Sequence, residues 1–320
     1  MTSTSVRAFA PGSVGNLGPG LDILGCATSG LGDSVEATLV ASGHGVRLDD
    51  PGHPDLPRDP SRHSSAIAAT EVLRRANATT TGVGLRVDKR LPLAGGQGGS
   101  AASAIASALA VNVLLGSPLE MNDLLLAALV AEERVAGRHL DNLAPSLLGG
   151  IVLVRSVEPL DLVRIPPPPS LRVVLVHPAM QLRTADARAV LPSTIDRQTA
   201  VAQAAAVAAM VSAFWSGDVS HLRGTVTDFI AEPARAPLLP GFISAQAAAM
   251  DAGALGCSIA GGGPTSFALT DGDEIASTVQ TAMVEAYRSS GVEATARVAH
   301  VDEQGARIED VEAPGRYRSA

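Results

Sequence analysis

The stretch LPLAGGQGGSAASAIASALA, residues 91–110, decides the fold. Gly95, Gly96, Gly98 and Gly99 crowd a turn, and Ser100 opens an Ala-rich run that reads as a helix. Residues 83–87, Val-Gly-Leu-Arg-Val, read as the strand that feeds the turn. Glycines let the backbone take positive φ and let a ligand come close. A helix start presents unpaired N–H groups and the positive end of its dipole. Together these make an anion site, most naturally for phosphate. The competing reading is a turn that merely joins two elements. The loop is no Walker A sequence, which needs a lysine followed by Ser or Thr, and Lys89 is the only lysine in the chain. It is no dinucleotide fingerprint either, since no acidic residue ends an adjacent strand about 20 residues on. A phosphate here needs charge from a metal ion or from arginines.

Outward from that loop, 320 residues suit two domains with real cores. The net charge of −8 and the scarcity of aromatics argue against nucleic acid, which wants basic stripes and stacking platforms. Cys26 and Cys257 stand alone, with neither metal spacing nor a disulfide framework, which predicts a reduced, cytoplasmic chain. The N-terminus carries no long apolar run. The Ala-rich segments 100–115 and 199–213 are interrupted by Ser, Asn or Gln and read as buried helices rather than membrane spans.

Residues 6–10 read as a strand entering a Gly/Pro/Asn loop over 11–25, and 34–41 alternate like a second strand. Residues 49–63 read as a loop, 65–75 as a helix, 83–88 as a strand, and 100–115 and 122–136 as helices. Strands are expected at 151–154 and 160–165. The prolines at 166–169 suit neither a helix nor a central strand, and mark a boundary between domains 1–166 and 167–320. Beyond it come a strand at 172–176, helices at 184–190, 194–215, 220–230 and 241–252, and strands at 255–259 and 265–269 flanking a second glycine loop, 260–264. A helix at 274–288 and a strand at 292–299 follow, and residues 301–320 read as a polar, peripheral tail. The mixed order predicts an α+β protein.

Polar residues outside any surface-helix pattern supply the chemistry. Asn16 and Asp22 flank glycines. Arg138-His139-Leu140-Asp141-Asn142 follows Gly137. Thr184 and Arg188 are four residues apart on one helical face, and Glu232-Pro233-Ala234-Arg235 forms a further group. Two arginines are what a small carboxylate substrate needs, because guanidinium pairs bidentately with carboxylate. A carboxylate reaching the phosphate loop completes a Mg²⁺ site with a Ser hydroxyl. Glu132 and Glu133 are both placed for it, and periodicity does not choose between them.

These pieces together resemble the homoserine kinases of the GHMP small-molecule kinase superfamily, over about residues 6–300. Ala10-Pro11, then Asn16-Leu17-Gly18-Pro19-Gly20-Leu21-Asp22-Ile23-Leu24-Gly25, is similar to the first family motif. Residues 92–103 resemble the superfamily phosphate loop. His139-Leu140-Asp141-Asn142-Leu143-Ala144-Pro145, with Leu148-Gly149-Gly150, resembles a segment far more specific to homoserine kinases. Thr184-Ala185-Asp186-Ala187-Arg188, Glu232-Pro233-Ala234-Arg235 and Ser258-Ile259-Ala260-Gly261-Gly262-Gly263-Pro264-Thr265 match later segments, all in the family's order.

The resemblance implies a two-domain fold, ribosomal-S5-like then ferredoxin-like, that phosphorylates L-homoserine with ATP in threonine biosynthesis. It implies that Pro92, Leu93, Ala94, Gly95, Gly96, Gln97, Gly98, Gly99, Ser100, Ala101, Ala102 and Ser103 hold the ATP phosphates, with His63 near adenine. Ser100 and Glu132 hold Mg²⁺, Glu132 being preferred because it lies five residues before Gly137, as the family's metal-ligating Glu does before its Gly. Asn16, Asp22, His139, Asp141, Asn142, Arg188, Arg235 and Gly262 line the acceptor pocket, with Thr184 near the transferred phosphoryl group. Homodimers are usual in the family. Related kinases place an Asp where Asn142 stands, and an amide is no base. Catalysis then rests on positioning and electrostatics, with Asp141 as the weaker option for a base. The phosphate loop departs from the family at Gln97-Gly98-Gly99-Ser100, where Leu-Gly-Ser-Ser is usual. The alternatives are another GHMP kinase or a catalytically silent, ligand-binding relative.

Overall fold

The computed structural model describes residues 4–40, 45–135 and 137–312. Two sheets with helices packed against them organise the chain, an α+β arrangement. β1 (Ser5–Gly15) and β2 (Leu24–Val40) pair antiparallel. β3 (Gly45–Asp50) leads through α1 (Ser64–Arg75) to β4 (Gly82–Asp88), which lies parallel to β3 and antiparallel to β2. Then come α2 (Gly99–Leu114), α3 (Met121–Val135) and α4 (Leu143–Leu148), followed by the hairpin of β5 (Ile151–Val157) and β6 (Leu160–Ile165), joined to the start of β2. Alanines of α2 and leucines of α3 bury a continuous core under this sheet. Small side chains on α2 are what let α1, α3 and the sheet all approach it.

The second sheet holds β7 (Leu171–Pro178) and, beyond α5 (Thr184–Ala189), α6 (Arg197–Ser216), α7 (Ala231–Arg235) and α8 (Phe242–Asp251), the hairpin of β8 (Gly256–Ile259) and β9 (Ser266–Asp271). α9 (Gly272–Ser289) and β10 (Ala294–Ala299) complete it. The order β10-β7-β9-β8 is that of a ferredoxin-like β-α-β-β-α-β unit. Its strands alternate with period two: Val174, Val176 and Ala268 pack under α8 and α9, while Val173, Leu175 and Phe267 face a core shared with Met210 and Phe214 of α6 and with Val14 and Leu24 of the first sheet. That shared core locks the two sheets together, and the site lies where they meet. β11 (Arg307–Glu312) then returns to the first sheet and pairs antiparallel with β1.

Several expectations are corrected. The loop expected over 11–25 is strand as far as Gly15, with a register shift between Pro11 and Gly12. Gly12 and Gly15 mark close approach, not a turn. A Cβ on Gly12 would come within 2.8 Å of Leu91 Cδ2, and one on Gly15 would collide with the side chains of Asp141 and Asn142. The strand expected at 34–41 already begins at Leu24, and residue 41 lies outside the described residues. The loop expected over 49–63 overlaps the end of β3 and includes a 3-10 turn, Pro60–Arg62. The helix expected at 122–136 runs to Val135, and residue 136 is not described.

The helix expected over 220–230 is a 3-10 turn, Val219–Leu222, and irregular chain. Asp228 explains the break: its carboxylate accepts the amides of Ile230 (2.9 Å), Ala231 (2.9 Å) and Glu232 (3.1 Å), so a new helix, α7, begins there. The tail expected at 301–320 contains β11, and residues 313–320 lie outside the described residues. α6 is long and apolar enough to cross a membrane by length and composition. Expected as a buried helix, it is exposed or half-buried along most of its length, with Gln203, Met210, Ala213 and Phe214 buried; Gln203 sits in a polar network, donating to Pro19 O (2.6 Å) and Asp228 Oδ1 (3.0 Å) and accepting from Phe229 N (2.7 Å).

Candidate active site

One cavity of about 530 Å³ opens between the sheets and receives both glycine loops. On one wall, Ala94, Gly96 and Gly98 take positive φ, and left-handed Gly98 caps α2 with no side-chain oxygen competing for its first amides. The loop is braced from behind. Lys89 Nζ donates to Asp33 Oδ2 (2.5 Å), Gly99 O (2.6 Å) and Ser103 Oγ (3.2 Å). Asp33 in turn accepts the amides of Arg90 and Leu91, both at 3.0 Å. The start of α2 is thereby fixed with its free amides facing the cavity. The second glycine loop packs on the first, Thr265 N donating to Gly95 O at 3.3 Å.

Beside the helix start, Ser100 Oγ donates to Glu132 Oε2 at 3.0 Å. Glu132 is 7% exposed and forms no ion pair among the described residues, and burial pushes its carboxyl up to about 7 against the pull of the Ser100 bond and of the Arg188 charge. A buried carboxylate beside a hydroxyl is an oxygen donor pair that could hold Mg²⁺. No group of three or more His, Cys, Asp or Glu placed to hold a metal occurs among the described residues.

The opposite wall carries charge of both signs. Left-handed backbone at Asn16 and Asp22 folds the turn after β1, with Asn16 Oδ1 accepting Asp22 N at 3.2 Å. Asp22 meets Arg188 bidentately, at 2.8 and 3.2 Å, and His139 Nδ1 lies 3.4 Å away. Burial works to raise the Asp22 carboxyl, but the Arg188 bonds and the surrounding positive charge hold it below the ordinary range. Burial lowers the His139 imidazole below its ordinary range, against the pull of Asp22. Arg188 Nε is buried with no hydrogen-bond partner among the described residues. Arg235, on α7, is 3% exposed and donates to Ala187 O (3.0 Å) and Gly261 O (2.9 Å). Asp141 is buried and pushed up to about 7, by burial first and then by Asp22 and Glu132. Asn142 Oδ1 accepts from Ser13 Oγ at 2.9 Å, which turns its NH₂ group free of that bond.

Residues 64–150 match the family GHMP kinases N terminal domain, and 200–289 match GHMP kinases C terminal. The homoserine kinase of Chlorobium phaeovibrioides is 41% identical over 95% of this chain and 99% of its own. The chain belongs to the homoserine kinase family. The homoserine kinase of Arabidopsis thaliana is also 41% identical, over 95% of this chain and 84% of its own length. A crystal structure of homoserine kinase from Cytophaga hutchinsonii superposes with a TM-score of 0.92 at 38% identity, covering 97% of this chain and 98% of that one. The two-domain GHMP kinase fold, and with it kinase chemistry and use of ATP, follow.

Against the family's expected residue set, most positions face the cavity, including Asn16, Asp22, His139, Thr184, Arg188 and Arg235. Gln97, Ala101 and Ala102 do not. Gln97 turns away, donating to Thr265 Oγ1 (3.3 Å) and accepting from Arg297 (3.2 Å), while both alanines point into the core of the first domain. His63 lines the cavity with both ring nitrogens engaged: Nδ1 accepts Ser65 N (3.3 Å) and Nε2 faces Pro51 O (3.3 Å). It offers a nucleotide a ring face and no free nitrogen.

Sequence reading missed the Lys89–Asp33 brace, although the only lysine standing directly before the glycine turn was a signal. It also missed Gln203 and Asp228, which tie the turn after β1 to the helix carrying Arg235. Asp228→Ala is expected to lower stability by about 2 kcal/mol, since it strands three amides at the head of α7. It is also expected to raise KM for the acceptor more than KM for ATP. Thermal melts and steady-state kinetics check it, and equal KM changes for both substrates would contradict the assignment.

Proposed function

We propose that this chain transfers the γ-phosphoryl group of ATP to the side-chain hydroxyl of L-homoserine, giving ADP and O-phospho-L-homoserine. The carrying observation is the Asp22–Arg188 pair with Arg235 beside it, facing a phosphate loop across one cavity. Homoserine is a zwitterion, and the pair is a template of its charges. The ammonium group replaces Arg188 at Asp22 or lies beside Asp141. The carboxylate takes Arg188, whose Nε lacks a hydrogen-bond partner among the described residues, and Arg235.

The amides of the glycine loop and α2 hold the phosphates, and Ser100 with Glu132 would hold Mg²⁺, whose charge offsets that of the phosphates. The acceptor oxygen forms its bond to γ-phosphorus as the bond to the β,γ-bridging oxygen breaks. Asn142 cannot take the hydroxyl proton. It positions the hydroxyl, and the proton leaves late, to phosphate or water. Thr184 lies at the start of α5, over Gly262, on the acceptor side of the phosphate loop. Residues 1–166 form the phosphate-holding part and 167–320 complete the acceptor pocket, with β11 returned to the first sheet. The chain works in the cytoplasm as a homodimer; support for the dimer is the face of α6 that leaves Val201 and Trp215 exposed.

ADP release from Mg·ATP with L-homoserine, L-serine and mevalonate in parallel tests the assignment. Turnover with homoserine alone is expected, and turnover with another alcohol alone would overturn the acceptor. Asp141→Asn is expected to raise KM for homoserine about 10- to 100-fold, the scale of one hydrogen bond to a charged group, with kcat kept at saturation. A fall in kcat at unchanged KM would instead make Asp141 the base.

A further inference from the structure

Five basic side chains face the cavity: Arg62, Lys89, Arg183, Arg188 and Arg235. Three of them are already engaged. Lys89 has three protons and three acceptors within 3.2 Å. Arg188 gives both terminal nitrogens to Asp22, and Arg235 donates to two backbone carbonyls. Arg62 and Arg183, by contrast, have no side-chain hydrogen bond and no ion pair among the described residues. The polyphosphate brings several negative charges into a cavity whose lysine cannot turn toward them. Free guanidinium groups on the wall are therefore the protein's remaining mobile positive charge.

Position separates the two. Arg62 ends the 3-10 turn Pro60–Arg62, next to His63 at the head of α1. Arg183 is the N-cap residue of α5, and Thr184 follows it directly. The Thr184 Cα lies 3.8 Å from where a Cβ on Gly262 would stand, and the loop carrying Gly262 packs on Gly95 and Gly96 of the phosphate loop. Arg188, one turn further along α5, holds Asp22 in the acceptor pocket. Arg183 therefore stands between the phosphate loop and the acceptor pocket, where the γ-phosphate must lie for in-line transfer. Arg62 stands on the α1 side.

We propose that Arg183 is a further catalytic residue, whose guanidinium closes on the γ-phosphoryl group and donates to its equatorial oxygens as charge spreads over them during transfer. No bond to Arg183 is made or broken, and it remains protonated throughout. Arg183 is exposed, and its long flexible stem lets the guanidinium reach a phosphate that a short side chain at this position would not. The inference rests on the phosphoryl-transfer reading above.

Calorimetric titration of the full chain with Mg²⁺ and either ADP or a β,γ-methylene analogue of ATP tests it. Wild type, Arg183→Ala, Arg183→Lys and Arg62→Ala are compared. Arg183→Ala is expected to bind the ATP analogue about tenfold more weakly with ADP unchanged, and to lower kcat about 100-fold. Arg183→Lys is expected to recover part of both. Equal loss of ADP and analogue, no loss of either, or a γ-selective loss in Arg62→Ala instead would overturn the proposal. Wild type that binds the analogue yet fails to phosphorylate homoserine would sink the acceptor assignment while leaving this comparison readable.

Discussion

Glu132→Gln is expected to lower kcat/KM by about 1000-fold, the scale of losing a group that stabilises the transferred charge, without unfolding the chain. Glutamine keeps the volume and the hydrogen bond from Ser100, so packing is conserved, but it removes the charge that a divalent cation needs. Calorimetry adds a second readout: the dependence of ATP binding on Mg²⁺ should weaken strongly. Undiminished turnover with unchanged Mg²⁺ dependence would sink the metal assignment.

The same residue sets a pH dependence. Glu132 and Asp141 both sit near 7, lifted by burial above the ordinary carboxylate range. Activity that needs ionised Glu132 should rise as pH climbs through about 7. Stability runs the other way. The folded, ligand-free chain keeps protons that the unfolded chain releases. The stability these two groups contribute is full below the ordinary carboxylate range and is lost as pH rises through 7. Thermal melts of the ligand-free protein should show this slope, and Glu132→Gln should flatten it.

Gly25→Ala is expected to cost about 4 kcal/mol or more, at the upper end for a single substitution. Gly25 lies in β2, opposite Gly15 of β1 and Val152 of β5, and a Cβ there would overlap the backbone carbonyl of Asp141. Neither partner can move cheaply. Gly25 is fixed by two strand neighbours, and Asp141 leads directly into α4. Relief of the overlap must push Asp141 and Asn142 out of the acceptor pocket, so acceptor binding should fall together with stability. A melt shifted by about 10 °C or more is expected. A shift of about 2 °C with normal kinetics would show that the strand and the 139–142 segment are not held this tightly.

Much of this was legible in the sequence because the helices and buried strands carry strong periodicity and the site carries short, ordered segments. The glycine turn before α2 and the two arginines stood out from the residues themselves, while the choice of Glu132 over Glu133 came only from resemblance to a family. What escaped had a physical cause. Gly12 and Gly15 read as turn residues, yet they are strand residues stripped of side chains so that Leu91 and the 141–142 segment can approach. The 220–230 stretch reads as a helix, but Gly224 takes positive φ, the β-branched Thr225, Val226 and Thr227 follow it, and Asp228 then captures the amides that begin α7. Gln97 sits inside the phosphate loop in sequence, yet its side chain is held by Thr265 and Arg297, which are distant in the chain and reach it only once the sheets pack. Lys89 and Asp33 are far apart along the chain, and no local pattern announces a pair that forms only when the sheet does.

The return of β11 to β1 makes the first and last of the described strands sheet neighbours. During synthesis the ribosome must release residue 307 and beyond before that edge can close. Until then β1 offers an open row of backbone groups to any strand that meets it. A protein shortened before β11 would carry this open edge permanently. It should aggregate even though every residue of the phosphate loop and of both arginine contacts is still present, so the far end of the chain guards the beginning.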